Sequence, residues 1–223
     1  QDLRLLGDSD AGAASSAERI AIAVNADSIA TWALPALTPL VCNGLPLEII
    51  TDDQDFTQEW LREGQVLGCV TTLKRALRGC KVVALGAMAY IAVATPETVA
   101  RACPDGFTAH TLRDLPFIAF NRKDDLQAEF VGHALRLRQV NLKQRFVPSS
   151  EGQVRAVLAG WGAGVVPELL ARAALADGRL VDLAPGRWLP IQLYWHCWNL
   201  ESAVLDALTA ALKAAARGAL EEG

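Results

Sequence analysis

Polar side chains gather at five points where an apolar run gives way. The first group is Asn25, Asp27 and Ser28, followed closely by Thr31 and Trp32. The second is Thr51-Asp52-Asp53-Gln54-Asp55, and the third is Thr71-Thr72. The fourth is Asn121-Arg122-Lys123-Asp124-Asp125, and the fifth is Ser149-Ser150-Glu151. Two kinds of recognition suit such groups. A helix that starts straight after a strand leaves N–H groups unpaired, and these favour an anion such as a carboxylate. The carboxylates Asp27, Asp53, Asp124, Asp125 and Glu151 outnumber Arg122 and Lys123 and favour a cation. Singly, Asp53, Asp55, Asp124, Asp125 and Ser150 serve equally well as helix caps. Their recurrence at equivalent strand ends is what points to a ligand, since parallel α/β sheets bind ligands beyond the carboxyl ends of their strands.

Covalent chemistry finds no matching pattern. The sequence has no Gly-x-Ser-x-Gly, no Gly-x-x-x-x-Gly-Lys-Ser/Thr and no Gly-x-Gly-x-x-Gly. Gly160-Trp161-Gly162-Ala163-Gly164 follows an expected helix and precedes an expected strand, the wrong order for a phosphate cradle. His110, His133 and His196 have no nucleophile nearby in sequence. The five cysteines are scattered without a Cys-x-x-Cys, which disfavours zinc and fits a reducing cytoplasm. No catalytic residue, metal site or cofactor is expected.

The elements that must position these groups alternate. Arg19 to Val24 reads as a strand, and Ile29, Trp32, Ala33, Leu37 and Leu40 then recur at helical spacing. Further strands are expected at 47–51, 66–72, 81–85, 88–94, 117–120, 143–147, 164–166, 178–183 and 191–197. Helices are expected at 55–63, 96–103, 108–113, 124–138, 150–160, 167–176 and 201–217. This rhythm predicts parallel sheets covered by helices. At 223 residues the chain suffices for one large domain or two small ones. Strand 88–94 and strand 191–197 would carry the chain between two α/β units and back, making a hinge with a cleft. The net charge of −4 excludes a nucleic-acid binder by electrostatics, and no apolar run is long enough to span a membrane. Residues 1–19 lack a basic start followed by an apolar block, so no secretory signal is expected.

At these residues the chain resembles the effector-binding part of LysR-type transcriptional regulators, and more narrowly the ArgP/LysG group that governs basic amino acid export. The matching stretches are Val24 to Trp32, Asn121 to Leu126, Ser149-Ser150-Glu151 and Tyr194-Trp195-His196, with the general family pattern from Gly160 to Pro167. The resemblance runs from about Arg19 onward. It implies an α/β fold of two Rossmann-like subdomains joined by a two-strand hinge, like type 2 periplasmic binding proteins. Residues 1–18 would be the remnant of a linker helix and a flexible linker. Residues 19–94 plus 196–223 would form one subdomain and 95–195 the other, with the N-terminal winged helix-turn-helix absent.

The resemblance further implies an effector in the cleft, with lysine or arginine expected. The residues it maps there are Asp27, Ser28, Thr31, Trp32, Asp53, Gln54, Asn121, Asp124, Asp125, Ser150 and Glu151. Ser28, Thr31 and N–H groups at the helix start would hold the α-carboxylate, and carboxylates would face the cationic end. A homodimer is expected, or a tetramer in the full-length protein, touching DNA only through the absent domain. Two alternatives share the architecture. A solute-binding protein is disfavoured by the missing signal and the thiols, and an enzyme by the lack of a nucleophile–base pair.

Overall fold

The structure is a computed structural model and describes residues 19–51 and 59–222. In chain order, β1 (Ile20–Val24) leads into one continuous helix, α1, over residues 26–42. Its segment Ile29–Ala33 is a π-helix between the α-helical turns Ala26–Ser28 and Leu34–Cys42. Next come β2 (Leu47–Ile50), β3 (Gly68–Thr71) and the long β4 (Cys80–Ala94). Then follow α2 (Pro96–Ala102), β5 (Phe117–Ala119), α3 (Leu126–Leu135), β6 (Gln144–Phe146) and α4 (Ser150–Leu158). The chain continues through β7 (Ala163–Pro167), α5 (Glu168–Ala176), β8 (Val181–Asp182), β9 (Leu189–Trp198) and α6 (Ala203–Ala219).

The strands form one mixed sheet in the order β2-β1-β3-β9-β4-β7-β5-β6, with β8 added beside β4. At one end β1 pairs in parallel with β2 and β3; at the other β5 pairs in parallel with β6 and β7. Between these groups β4 and β9 run antiparallel from Cys80↔Trp198 to Tyr90↔Leu189. On one side β9 pairs with β3 and on the other β4 pairs with β7, so this antiparallel pair joins the two parallel groups.

Residues 81–85 and 88–94, expected as separate strands, are one strand interrupted by a bulge. The register shifts between Ala84 and Gly86, where Gly86 has φ +127°. Just beyond it, Ala87 exchanges both backbone hydrogen bonds with Glu221, at 2.9 and 3.0 Å. The expected strand 178–183 shortens to Val181–Asp182, because Gly178 takes φ +78° in a turn. The helix expected at 124–138 starts only at Leu126 and stops at Arg136, which is left-handed at φ 55°. The helix expected at 108–113 is a single 3-10 turn, Thr111–Arg113. Of the helix expected at 55–63, residues 59–62 are helical and 55–58 lie outside the described residues. Residues 1–18 lie outside them too.

The main core runs the length of the sheet, from Ile22, Val24 and Val70 through Trp195 and Leu193 to Phe117, Phe130 and Val165. Helix α6 closes one face with Leu205, Leu208, Leu212 and Ala216, spaced three and four apart so that all point inward. Burying each leucine is worth about 1.5–3 kcal/mol. The Trp195 indole N–H donates to Thr209 Oγ1 at 2.9 Å and fixes α6 against β9. Gly68 on β3 makes room for that ring, since a Cβ there would lie 2.3 Å from Trp195.

Candidate functional site

A cleft of about 1000 Å³ opens where the carboxyl ends of β1, β2, β3, β5 and β6 meet the middle of β4 and β9. Asn25 and Asp27 enter it after β1, Thr51 after β2, and Thr72 and Lys74 after β3. Phe120 to Gln127 enter after β5, except Arg122, and Ser150 and Gln153 enter from the start of α4. Tyr90 rises from β4, with Gln192 and Tyr194 from β9. Among the described residues four carboxylates line the cleft, on Asp27, Asp124, Asp125 and Glu129, against the cations Lys74 and Lys123.

Asp27 sits in the first turn of α1, where a carboxylate suits the helix dipole. Its Oδ1 accepts from the Ser150 hydroxyl at 2.5 Å, and its Oδ2 accepts from the Tyr90 hydroxyl. Burial pushes its pKa above the ordinary aspartate value, against the lowering effect of the Ser150 and Tyr90 hydrogen bonds; the charge of Asp124 raises it further. Burial likewise pushes Tyr90 well above its ordinary pKa, helped by the charge of Asp27.

Asp124 is used differently. Its Oδ2 accepts from the Phe120 N–H at 2.8 Å and from Gln127 Nε2 at 3.0 Å, while Oδ1 accepts from the Leu126 N–H at 3.2 Å. It ties the end of β5 to the start of α3. Gln127 is fully buried, and its Oε1 has no hydrogen-bond partner among the described residues; the same holds for the buried Asn25 Oδ1.

Of the residues expected in the site, the cleft brings together Asp27, Asn121, Asp124, Asp125 and Ser150. Ser28, Thr31, Trp32 and Glu151 are placed elsewhere. Ser28 follows Asp27 by one residue, about 100° around an α-helix, and is fully buried with its Oγ accepting from the Trp32 indole at 3.1 Å. The Thr31 hydroxyl donates to the Asp27 carbonyl at 2.6 Å. Thr31 and Trp32 border a separate small groove with Leu169, Leu170 and Ala215. Glu151 is exposed on α4 beside Ser150. Asp53 and Gln54 lie outside the described residues.

The residue types alone missed Tyr90, Gln127, Gln153, Lys74 and Gln192. Gln127 carried a usable signal, because it follows Asp124 by three residues and can meet it across a helix start. Tyr90 carried none, since it stands mid-strand and meets Asp27 only through the fold.

Two parallel groups joined by an antiparallel pair, with a polar cleft at the strand ends, define the class of periplasmic-binding-protein-like α/β folds. Within it the chain belongs to the LysR substrate binding domain family, whose model matches residues 13–217. It is 42% identical over 200 residues to the HTH-type transcriptional regulator LysG of Mycobacterium tuberculosis, covering 90% of this chain and 65% of LysG. The chain thus spans less than two thirds of that relative. ArgP from Mycobacterium tuberculosis, a crystal structure, superposes with a TM-score of 0.87 at 40% identity, covering 95% of this chain and 72% of that one. Full-length LysG from Corynebacterium glutamicum, solved with bound effector Arg, superposes with a TM-score of 0.82 at 33% identity, covering 91% and 69%.

Proposed function

We propose that this chain is the sensor portion of a transcriptional regulator, and that it binds a basic amino acid, arginine or lysine, in the cleft. The observation that carries the reading is the cleft's imbalance among the described residues: four carboxylates and two buried carbonyl oxygens without a partner there, on Asn25 and Gln127, against two lysines. Such a lining favours a ligand rich in N–H donors and net positive. The arginine-bound LysG relative supports the same class.

Asp27 and the first-turn N–H groups of α1 suit the zwitterionic head, with an acceptor for the ammonium and donors for the carboxylate. Asn121, Asp124, Asp125 and Ser150 complete the proposed site. The moving units would be residues 19–94 with 196–223, and 95–195, sharing β4 and β9. The ligand would bind one closure state better and shift the population toward it. The chain would act in the cytoplasm, as part of a homodimer that reaches DNA through a separate domain. The described residues include no helix long and apolar enough to cross a membrane.

Titration calorimetry with arginine, lysine and norleucine tests the reading. Norleucine lacks the distal cation, and loss of one side of a buried charged pair costs about 2–5 kcal/mol. Arginine or lysine should therefore bind at least about 30-fold more tightly. Equal binding of norleucine would refute the proposal.

A further inference from the structure

We propose that Gln127 Oε1 is the acceptor that reads the side-chain N–H donors of the ligand, and that Asp124 is the positioning residue that aims it. This rests on the reading of the cleft as a basic amino acid site. An ionised carboxylate only accepts hydrogen bonds. The amide end of Gln127 that meets Asp124 Oδ2 at 3.0 Å must therefore be the NH2 group. That leaves the carbonyl oxygen as the end without a partner among the described residues, and Gln127, fully buried, belongs to the cleft lining.

Asp124 cannot easily turn to the ligand itself. Both of its oxygens already accept, two of the donors being backbone N–H groups of Phe120 and Leu126. Swinging it away would leave those donors unmatched. Its fixed position makes the Gln127 orientation a property of the loop. A buried acceptor without a partner is costly, and a ligand donor removes that cost. On the proposed reading Asp27 meets the head group, which leaves Gln127 for the distal end.

A site of this design separates hydrogen bonding from charge. Citrulline keeps distal N–H donors but carries no distal charge; norleucine has neither. Calorimetric titration of the wild-type chain and of Gln127→Leu with all three ligands tests the assignment. Gln127→Leu should weaken arginine and citrulline alike, by about tenfold or more, and leave norleucine within about twofold. Gln127→Met, close in length and flexibility, runs the same comparison if the leucine variant does not fold. An unchanged arginine-to-norleucine ratio in the variant, with the wild type still preferring arginine, overturns the role of Gln127 alone. A wild type without that preference overturns the basic amino acid reading and this assignment with it.

Discussion

Asp27 and Ser150 are 123 residues apart in the chain, yet the Ser150 hydroxyl donates to Asp27 Oδ1 at 2.5 Å. Asp27 opens α1, beside the β2-β1-β3 group, and Ser150 opens α4, beside the β7-β5-β6 group. Their bond spans the cleft from one half to the other. Tyr90, on the strand the halves share, donates to the same carboxylate. The buried carboxyl group of Asp27 is thus the meeting point of both halves and of the strand between them.

Binding of a cation should release protons from Asp27. Burial holds its pKa up in the free chain, and a nearby ammonium or guanidinium lowers it. Arginine affinity should therefore rise with pH across the interval between the two values. Calorimetry in buffers of different ionisation enthalpy should show net proton release, and Asp27→Asn should abolish it. A binding enthalpy that does not change with buffer contradicts this coupling.

The same shift has a sign for stability. A carboxyl whose folded pKa is raised contributes stability below the unfolded value of about 3.9, and that contribution is lost as pH rises through the folded value. Asp27→Asn should therefore gain on the wild type as pH rises from the unfolded value through the raised folded value of Asp27, whatever its stability at the acid end. Thermal melting of both chains across that range checks the sign.

Tyr90→Phe removes one of two hydroxyl donors from a buried carboxylate. The expected cost is about 1–3 kcal/mol. Urea unfolding should show a lower midpoint with an unchanged slope. A midpoint equal to the wild type would mean that the bond contributes nothing net.

Glycine-to-alanine changes should divide by environment. At Gly68 a Cβ meets the Trp195 ring and the His196 carbonyl, at 2.3 and 2.8 Å. Overpacking of this kind costs about 1–3 kcal/mol. Gly162 should be worse, because φ is +144° and the Pro116 carbonyl lies 2.2 Å from the added atom. Gly218, within α6, has open space, so alanine there should stabilise by about 0.5 kcal/mol or more. Denaturation midpoints should be lowest for Gly162→Ala, intermediate for Gly68→Ala and highest for Gly218→Ala.

The proposed dimer makes a specific demand on α1. Leu34 and Val41, seven residues apart and so on one face, are 46% and 45% exposed. The apolar face of α4 is turned inward, while Glu151 and Arg155 point out, so α1 rather than α4 offers the apolar contact surface. Leu34→Glu with Val41→Glu should convert a sedimenting dimer to monomer without lowering the melting temperature of the fold. A dimer that survives both changes places the contact elsewhere.

The alternation of strands and helices was legible because each is written in local periodicity. Strand ends were legible for the same reason, which placed Asn121, Asp124, Asp125, Ser150 and Asp27 at one cleft. The direction of side chains around a helix was not. Ser28 and Thr31 share a turn with Asp27, but one is turned into the core and the other binds its own helix backbone. The break at 86–87 read as the end of a strand, because a bulge resets the alternation while the strand continues. Tyr90 meets Asp27 only across the fold, 63 residues away, which no local pattern records.

The bridge between Ala87 and Glu221 matters to anyone altering this chain. Its two backbone bonds lie immediately after the skipped residue in β4, and the Glu221 carbonyl would sit only 2.7 Å from a Cβ at Gly86. Residues 220 and 221 therefore work as a splint beside the bulge in the long ladder. Trimming them, or fusing a reporter immediately after α6, would leave the shared strand freer to flex at Leu85. On the proposed closure mechanism the halves would then swing more easily with the cleft empty, raising the background signal of any sensor built this way.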